Sequence, residues 1–514
     1  MFLITSAAYI SPGLASELGK LPPCMLPVQN KRLYEHQRVL VPSSEMCVLS
    51  LPKSYKLTTF DRERLVALHT RVVHVPDEFS LGQSIVYVLN VIGNYDAPLR
   101  ILHGDTLFSM IDESTNICAV AKAEDGYEWA SAGLQDKRVY SGYFSFSNQS
   151  LLIQKITECG YEFIQGLEEY AKEISIIYKD FPNWMDFSLV NSYYRSISKL
   201  TTQRVFNSMK VSRYSVRKSS MDKQKMEAEA NWLMSLPVSM KHYAPSVWDK
   251  GVDGDSGYYE IEYYFLSSLA NLYVFGRNKS YVWEEIIDAC ATYLNDEATF
   301  RPVNLQEVAS QNDHLYTEKT LQRLGKYCEQ VGMSLDNTWT INGIETPSLN
   351  DIVKEIGTYI SRQDTRFATL MHGDSCFSNI LYDFKSKSIK VIDPRGINSD
   401  GNIDVYGDFR YDVAKLAHSI LGMYDYIIGG MYEYSEHSTY NVSLSFETNE
   451  VVSHVQEYFC SKTYGGYTLK ELSTYPIMIH LFLSMLPLHH DHPKRQKVML
   501  ANALRLYVEL KKQY

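Results

Sequence analysis

Residues 370–396 read LMHGDSCFSNILYDFKSKSIKVIDPRG, and the rest of the 514-residue chain is organised around them. His372, Gly373 and Asp374 come first, Asn379 follows Asp374 by five positions, and Asp393 ends the next apolar run. Ser378–Tyr382 and Ser388–Ile392 are β-prone runs separated by the polar turn Asp383-Phe384-Lys385-Ser386-Lys387, the pattern of a short hairpin. Asp374 and Asn379 then lie on a loop entering the hairpin and Asp393 at its exit. Two paired strands would bring both ends together.

An aspartate, an asparagine and a second aspartate in this order match the demands of phosphoryl transfer. That reaction asks little covalent chemistry of the protein; it needs a carboxylate to orient the attacking hydroxyl and oxygen ligands to hold magnesium on the phosphates. HGD-x4-N followed by I-D resembles the catalytic loop of the aminoglycoside phosphotransferase and choline kinase family, relatives of the protein kinases, with DPRG standing where those have DFG. The resemblance implies Asp374 as the catalytic residue, Asn379 and Asp393 as metal ligands, and ATP with Mg2+ as donor and cofactor. It also implies a bilobal α+β domain over 201–514, with a small lobe to about 265 and a large lobe beyond.

A small lobe of that kind needs a strand lysine on the donor phosphates and a helix glutamate to hold it. Lys218 closes the run Tyr214-Ser215-Val216-Arg217-Lys218, which follows the β-prone entry Thr201–Asn207. The helix-forming segment Asp222–Leu236 carries Glu227 and Glu229 ahead of Asn231-Trp232-Leu233. Glu229 is the preferred partner and Glu227 the fallback. No glycine lies between Thr201 and Lys218, so a glycine-rich cover over the phosphates is absent. Tyr258–Tyr264 reads as a strand running into a hinge, where backbone groups near Glu262 and Tyr264 would meet an adenine ring. From Val282 onward the pattern is predominantly helical apart from the hairpin. Asp412, in the helix beginning near Tyr406, resembles the aspartate that braces the catalytic loop, with Asp408 the weaker candidate. His489, His490, Asp491 and His492 are adjacent and precede Pro493, which fits a helix boundary better than a metal site.

The first 200 residues carry a second, partial resemblance. Met1–Tyr9 starts as an apolar strand, and Leu21-Pro22-Pro23-Cys24-Met25-Leu26-Pro27-Val28 leads to Lys31-Arg32-Leu33. This looks like the opening of a sugar-nucleotide nucleotidyltransferase. The intervening loop, SAAYISPGLASELGK, lacks the G-x-G-x-R through which backbone N–H groups approach phosphates, and Pro23 holds the position of the expected lysine; Lys20 or Lys31 would have to substitute. Leu81-Gly82-Gln83-Ser84-Ile85 resembles the family's G-T-x-x-A helix start, which implies nucleotide contacts at Gly82 and Ser84. Leu102-His103-Gly104-Asp105 resembles its strand-ending GD, and Trp184-Met185-Asp186 its W-x-D. The likeness implies a Rossmann-like (GT-A-type) α/β domain over 1–200, with Asp105 and Asp186 sharing a Mg2+ and CTP or UTP as substrate.

Length and composition fit this division. A chain of 514 residues holds about two to four domains, and 45% hydrophobic with 21% charged residues is the balance of a globular protein. A net charge of −10 argues against nucleic-acid binding. The eight cysteines are scattered without a CxxC pair and read as reduced thiols of a cytoplasmic protein. MFLITSAAYISP lacks a basic signal-peptide start, and no apolar run reaches the ~18 residues of a membrane span. The pairing of domains implies phosphorylation of a small hydroxyl-bearing acceptor followed by nucleotidyl transfer, as in bacterial surface-glycan or capsule assembly. The alternatives are a kinase whose first domain only binds the acceptor, and a nucleotide-binding regulator without turnover.

Overall fold

A computed structural model describes residues 1–122, 138–181, 183–200, 207–212, 214–311, 315–398 and 400–513. The chain divides into two compact units, the first comprising 1–200 with 275–277 and the second 201–274 with 278–514. The expected entry strand at 201–206 lies outside the described residues.

The first unit is built on a seven-stranded mixed sheet. Its strands are β1 (Phe2–Thr5), β2 (Cys47–Pro52), β3 (Thr70–Val75), β4 (Leu99–His103), β5 (Ile117–Lys122), β6 (Arg138–Phe146) and β7 (Ile177–Asp180), in the spatial order β7-β5-β6-β4-β1-β2-β3. β1 pairs parallel with both β2 and β4, whereas β6 runs antiparallel to both its neighbours. Phe-Leu-Ile-Thr and Cys-Val-Leu-Ser-Leu-Pro are buried at every position, as strands covered on both faces must be. Helices α1 (Leu81–Ile92), α2 (Gln149–Glu158) and α3 (Phe163–Glu173) bring Ile85, Leu89, Leu152, Ile156 and Leu167 into one core with Leu3, Val48, Ile101 and Phe144. From β1 the order runs outward through β2 and β3 on one side and begins again with β4 on the other. The carboxyl ends of β1 and β4 therefore flank the switch point at which open α/β sheets bind ligands.

The second unit opens with an antiparallel sheet of β8 (Asn207–Val211), β9 (Ser215–Ser220), β10 (Val247–Asp253) and β11 (Ser256–Glu262), ordered β8-β9-β11-β10, and the helix α4 (Lys223–Ser235). Beyond it come α5 (Ser280–Glu297), α6 (Thr317–Val331), the ribbon of β12 (Ala368–Leu370) with β15 (Tyr406–Asp408), and the hairpin of β13 (Ile380–Asp383) with β14 (Ser388–Val391). The helices α7 (Phe409–Ile420), α8 (Thr474–Ser484) and α9 (Pro493–Gln513) follow. α8 is buried at nearly all positions and packs on α6, α7 and α9. The remainder is predominantly helical, but it also holds a four-stranded sheet that the sequence reading did not include, ordered Ile344–Thr346, Trp339–Ile341, Asn441–Ser445, Glu433–Ser438. Its hairpin turn is Asn342-Gly343, both at positive φ, a two-residue turn whose twist matches that of the strands.

Candidate functional site

The hairpin forms in the register that the apolar alternation requires. Ile380 pairs with Val391 and Asp383 with Ser388, and Asp383 caps the turn by accepting from the N–H groups of Lys385 and Ser386. Ile392 N–H donates to the Asn379 carbonyl at 2.9 Å and Arg395 N–H to that of His372 at 2.8 Å. The two ends of the stretch are thereby stitched together. Asn379 Nδ2 donates to Asp374 Oδ2 at 3.0 Å and to its carbonyl at 2.9 Å, and among the described residues Asn379 Oδ1 accepts only from the Ser378 hydroxyl, at 3.3 Å. Asp393 has φ +57°. A non-glycine residue in that region costs of order 1–3 kcal/mol, so the surroundings impose the conformation.

Lys218, on β9 and nearly buried, donates from Nζ to Glu229 Oε2 at 2.6 Å and to Asp393 Oδ1 at 3.0 Å. Burial alone would lower its ammonium, but Asp393 and Glu229 more than offset it and hold it above the usual lysine value. Tyr259, from β11, donates to the same Glu229 oxygen at 2.8 Å. The alternative left open between Glu227 and Glu229 is decided by α4, which turns Glu229 inward and buries it. Three residues on, Trp232 donates from Nε1 to the Met371 carbonyl at 2.8 Å and meets His372 edge-on.

Beneath the loop lies a second layer of carboxyls. Asp412 accepts from the N–H groups of His372 at 2.7 Å and Gly373 at 2.9 Å and from the Ser375 hydroxyl at 2.8 Å. Asp408 does not reach the loop; it caps α7 and pairs with Arg410 at 2.7 Å. Two participants had no signal that a sequence reading could isolate. Glu297, at the end of α5, shares the His372 N–H at 3.0 Å, and Lys415, one turn beyond Tyr411 on α7, pairs with Asp374 Oδ1 at 2.8 Å. Burial would raise the Asp374 carboxyl, but Lys415 with lesser help from His372 and Arg395 brings it down to about 2.

At the expected hinge, the N–H groups of Glu262 and Tyr263 are taken by the carbonyls of Ser246 and Tyr214. Those two N–H groups are therefore already bonded within the protein, and the Tyr264 hydroxyl donates to the Ala244 carbonyl at 3.3 Å.

In the first unit Asp105 lies two residues past His103, the end of β4, at the switch point. Asp186 stands on a two-residue ribbon partner of Thr106, and Phe187 N–H donates to the Asp105 carbonyl at 2.8 Å. Burial, then the nearby Asp105 charge, push the Asp186 carboxyl up to about 7. Gly104 has to be glycine, since a Cβ would lie 2.7 Å from Ser6. Gly82 and Ser84 are buried in the first turns of α1, with Gly82 facing the Tyr161 carbonyl, which a Cβ would meet at 2.1 Å. Lys20 lies over the Tyr9 ring at 4.0 Å, and Lys31 is exposed on a short ribbon. Near the other end, His489 closes a short 3-10 turn and α9 starts at Pro493. Among the described residues no three His, Cys, Asp or Glu side chains gather as a metal site, and no helix is long and apolar enough to cross a membrane.

No protein-family model and no curated protein matches the chain. Several solved structures are similar to parts of it. A thermostable mutant of aminoglycoside phosphotransferase APH(4)-Ia, solved with AMP-PNP and hygromycin B, is 12% identical at a TM-score of 0.38, over 60% of this chain and 91% of that one. A putative fructosamine-3-kinase from Haemophilus somnus 129PT is 11% identical at a TM-score of 0.33, over 60% and 91%. HddC from Yersinia pseudotuberculosis is 14% identical at a TM-score of 0.29, over 39% and 99%. These likenesses are distant.

Proposed function

We propose that the second unit is a small-molecule kinase that transfers the γ-phosphoryl group of ATP to a hydroxyl of a small polar acceptor. The observation that carries the reading is the convergence of Lys218 on Glu229 and Asp393, 11 and 175 positions away, beside an asparagine that fixes Asp374. Lys218 grips the donor phosphates and Glu229 keeps it extended. Asp374 orients the acceptor hydroxyl and receives its proton as the new O–P bond forms, while the bond from the γ-phosphorus to the bridging oxygen breaks and ADP leaves. A carboxyl held near 2 is a weak base, so it acts chiefly by orientation, with proton transfer late. The Asp393 carboxylate and the Asn379 carbonyl oxygen are hard donors of the kind Mg2+ takes. The asparagine commits its N–H2 to Asp374, which leaves the oxygen for a cation. Mg2+, when bound, neutralises charge on the phosphate oxygens.

A second reading concerns the first unit. We infer that Asp105 and Asp186 hold a Mg2+ for transfer of a nucleotidyl group from CTP or UTP to the phosphorylated acceptor, yielding an activated precursor for surface-glycan synthesis in the cytoplasm. Two carboxylates at a sheet switch point, near enough that the Asp105 charge adds to burial in raising Asp186 to about 7, are oxygen donors of the kind Mg2+ takes.

ADP release measured with ATP and Mg2+ across sugars, alditols, choline and aminoglycosides tests the kinase. Asp374→Asn is expected to lower turnover at least a hundredfold with any true acceptor, and unchanged turnover sinks the assignment. Pyrophosphate release that requires both the phosphorylated acceptor and Asp105 tests the second reading; no release with any nucleoside triphosphate overturns it.

A further inference from the structure

Around Asp374 positive charge accumulates beyond what that carboxylate balances. Lys415 holds Asp374 at 2.8 Å, and its Nζ is 6.0 Å from the ring centroid of Tyr411, one helical turn earlier on α7. The Arg395 guanidinium sits 5.0 Å from the same centroid, with Nη2 3.4 Å from the Tyr411 hydroxyl. Its position is fixed by the loop itself. Arg395 N–H is bonded to the His372 carbonyl, and its side chain passes so close over Gly373 (φ +79°) that a Cβ there would lie 2.7 Å from Arg395 Cβ.

α6 adds two more cations. Lys319 and Arg323 stand four residues apart on one face of that helix, whose lead-in residue Tyr316 packs against Tyr411 at 6.4 Å. Arg323 donates to the Ser484 carbonyl at 3.3 Å. Neither Lys319 nor Arg395 forms a salt bridge with a carboxylate among the described residues. Burial, together with the charges of Arg395, Arg323 and Lys415, brings the Lys319 ammonium down to about 8. Arg395, Lys415 and Lys319, against the effect of burial, bring the Tyr411 hydroxyl to about 8. A lysine placed only for stability is paired or solvated. Like charges gathered on half-buried side chains near a carboxylate instead make a focused positive field that attracts an anion.

We propose that the phosphoryl acceptor carries an oxyanion, a phosphate or a carboxylate, and that Lys319, Arg323 and Arg395 receive it at a subsite beside Asp374. This rests on the kinase reading above and gives it a substrate class: a hydroxy compound already bearing negative charge. Two of the three receivers are arginines, whose planar forks suit the paired oxygens of either group. The inference departs from the chain's overall acidity, since the net charge of −10 disfavours anions in general and the local patch selects them.

Two measurements on the full chain test it. Acceptor pairs that differ only in charge, such as a hexose against its 6-phosphate and an alditol against its aldonic acid, are compared by kcat/KM. The anionic member is expected to lead by at least about thirtyfold, and the ratio to fall toward one in Lys319→Gln and Arg395→Gln while Lys319→Arg keeps most of it. Neutral members used equally well, or both members slowed alike by Lys319→Gln, overturn the proposal and leave the kinase reading standing. The second measurement needs no known acceptor. Inorganic phosphate and acetate are titrated calorimetrically into protein saturated with AMP-PNP and Mg2+, so that the triphosphate positions are filled. Binding weakened at least tenfold by Lys319→Gln is expected. Phosphate tighter than acetate assigns a phosphoester, and equal affinity a carboxylate. No anion binding, or binding indifferent to Lys319, refutes the subsite, whereas failure of AMP-PNP itself to bind removes the kinase reading and the subsite with it.

Discussion

Glu297→Gln isolates the least expected feature beneath the loop. Glu297 Oε1 and Asp412 Oδ2 both accept from the His372 N–H, at 3.0 and 2.7 Å, and both side chains are fully buried. Two carboxylates so close cannot both stay ionised. Asp412 has further donors in Gly373 and Ser375. Among the described residues Glu297 has only the Tyr293 hydroxyl besides, on the same Oε1, and no donor faces its Oε2. The proton therefore resides on Glu297, which burial, then the Asp412 charge, push well above the usual carboxyl range. In the folded state Glu297 keeps a proton that the unfolded chain releases above its ordinary value of 4.5. Its contribution to stability is full below that pH and declines as pH rises, by about 1.4 kcal/mol per unit. Glutamine copies the neutral acid and does not titrate. Relative to wild type, Glu297→Gln should gain stability as pH rises from 5, at up to about 1.4 kcal/mol per unit for as long as Glu297 holds its proton. Scanning calorimetry of both proteins from pH 5 to 8 reads the difference, in which the other titrating groups cancel. A difference independent of pH, or a loss above about 2 kcal/mol at pH 7, would mean that Glu297 is ionised. Asp412→Asn, which faces two N–H groups with an amide, should by contrast cost about 3–5 kcal/mol.

Gly396 (φ +64°) sits where a Cβ would lie 2.2 Å from the Ala228 carbonyl. Gly396→Ala should push α4 away from the turn after Asp393 and lower kcat at least tenfold with little change in the far-ultraviolet circular dichroism; unchanged kcat refutes this coupling. Lys218→Met should raise the Kd for AMP-PNP at least tenfold by calorimetry, and an unchanged value removes Lys218 from the donor phosphates. In the first unit, Mn2+ affinity measured by calorimetry should fall as pH drops from 8 to 6, because Asp186, raised to about 7, takes up a proton that competes with the metal. Asp186→Asn should abolish that dependence, and a slope that persists in the variant refutes the assignment.

What could be read ahead of the structure was whatever chemistry is local in sequence. The hairpin between Ile380 and Val391 follows from alternation and a polar turn, while the start of α1 and the place of Asp412 beneath the loop came from resemblance to family motifs that are themselves short and local. The partners that complete the site were illegible because they arrive from afar. Glu297 reaches His372 across 75 positions and Lys415 reaches Asp374 across 41, and nothing in an amphipathic helix marks one glutamate or lysine as the one that turns inward. The missed sheet is a different failure. Asn342-Gly343 is a strong hairpin signal, but its strands are only three residues long, and the parallel pairing of Thr340 with Asn441 joins segments too distant for any local pattern to relate.

α4 makes one device of these separate pieces. Glu229 fixes the lysine on β9, Trp232 holds the Met371 carbonyl, and Ala228 abuts Gly396 beyond Asp393, so three separate parts of the candidate site are set by three residues within a five-residue span of one helix. Trp232 is fully buried and packs edge-on against His372, which ties the helix to the loop through a rigid aromatic with few rotamers to lose. Any shift of α4 along its axis would therefore move the lysine, the loop and the Asp393 turn together. The two direct Lys218 contacts, to Glu229 on the helix and to Asp393 on the turn, can be kept at 2.6 and 3.0 Å only while that helix is seated. Its seating is the physical condition on which the whole constellation depends.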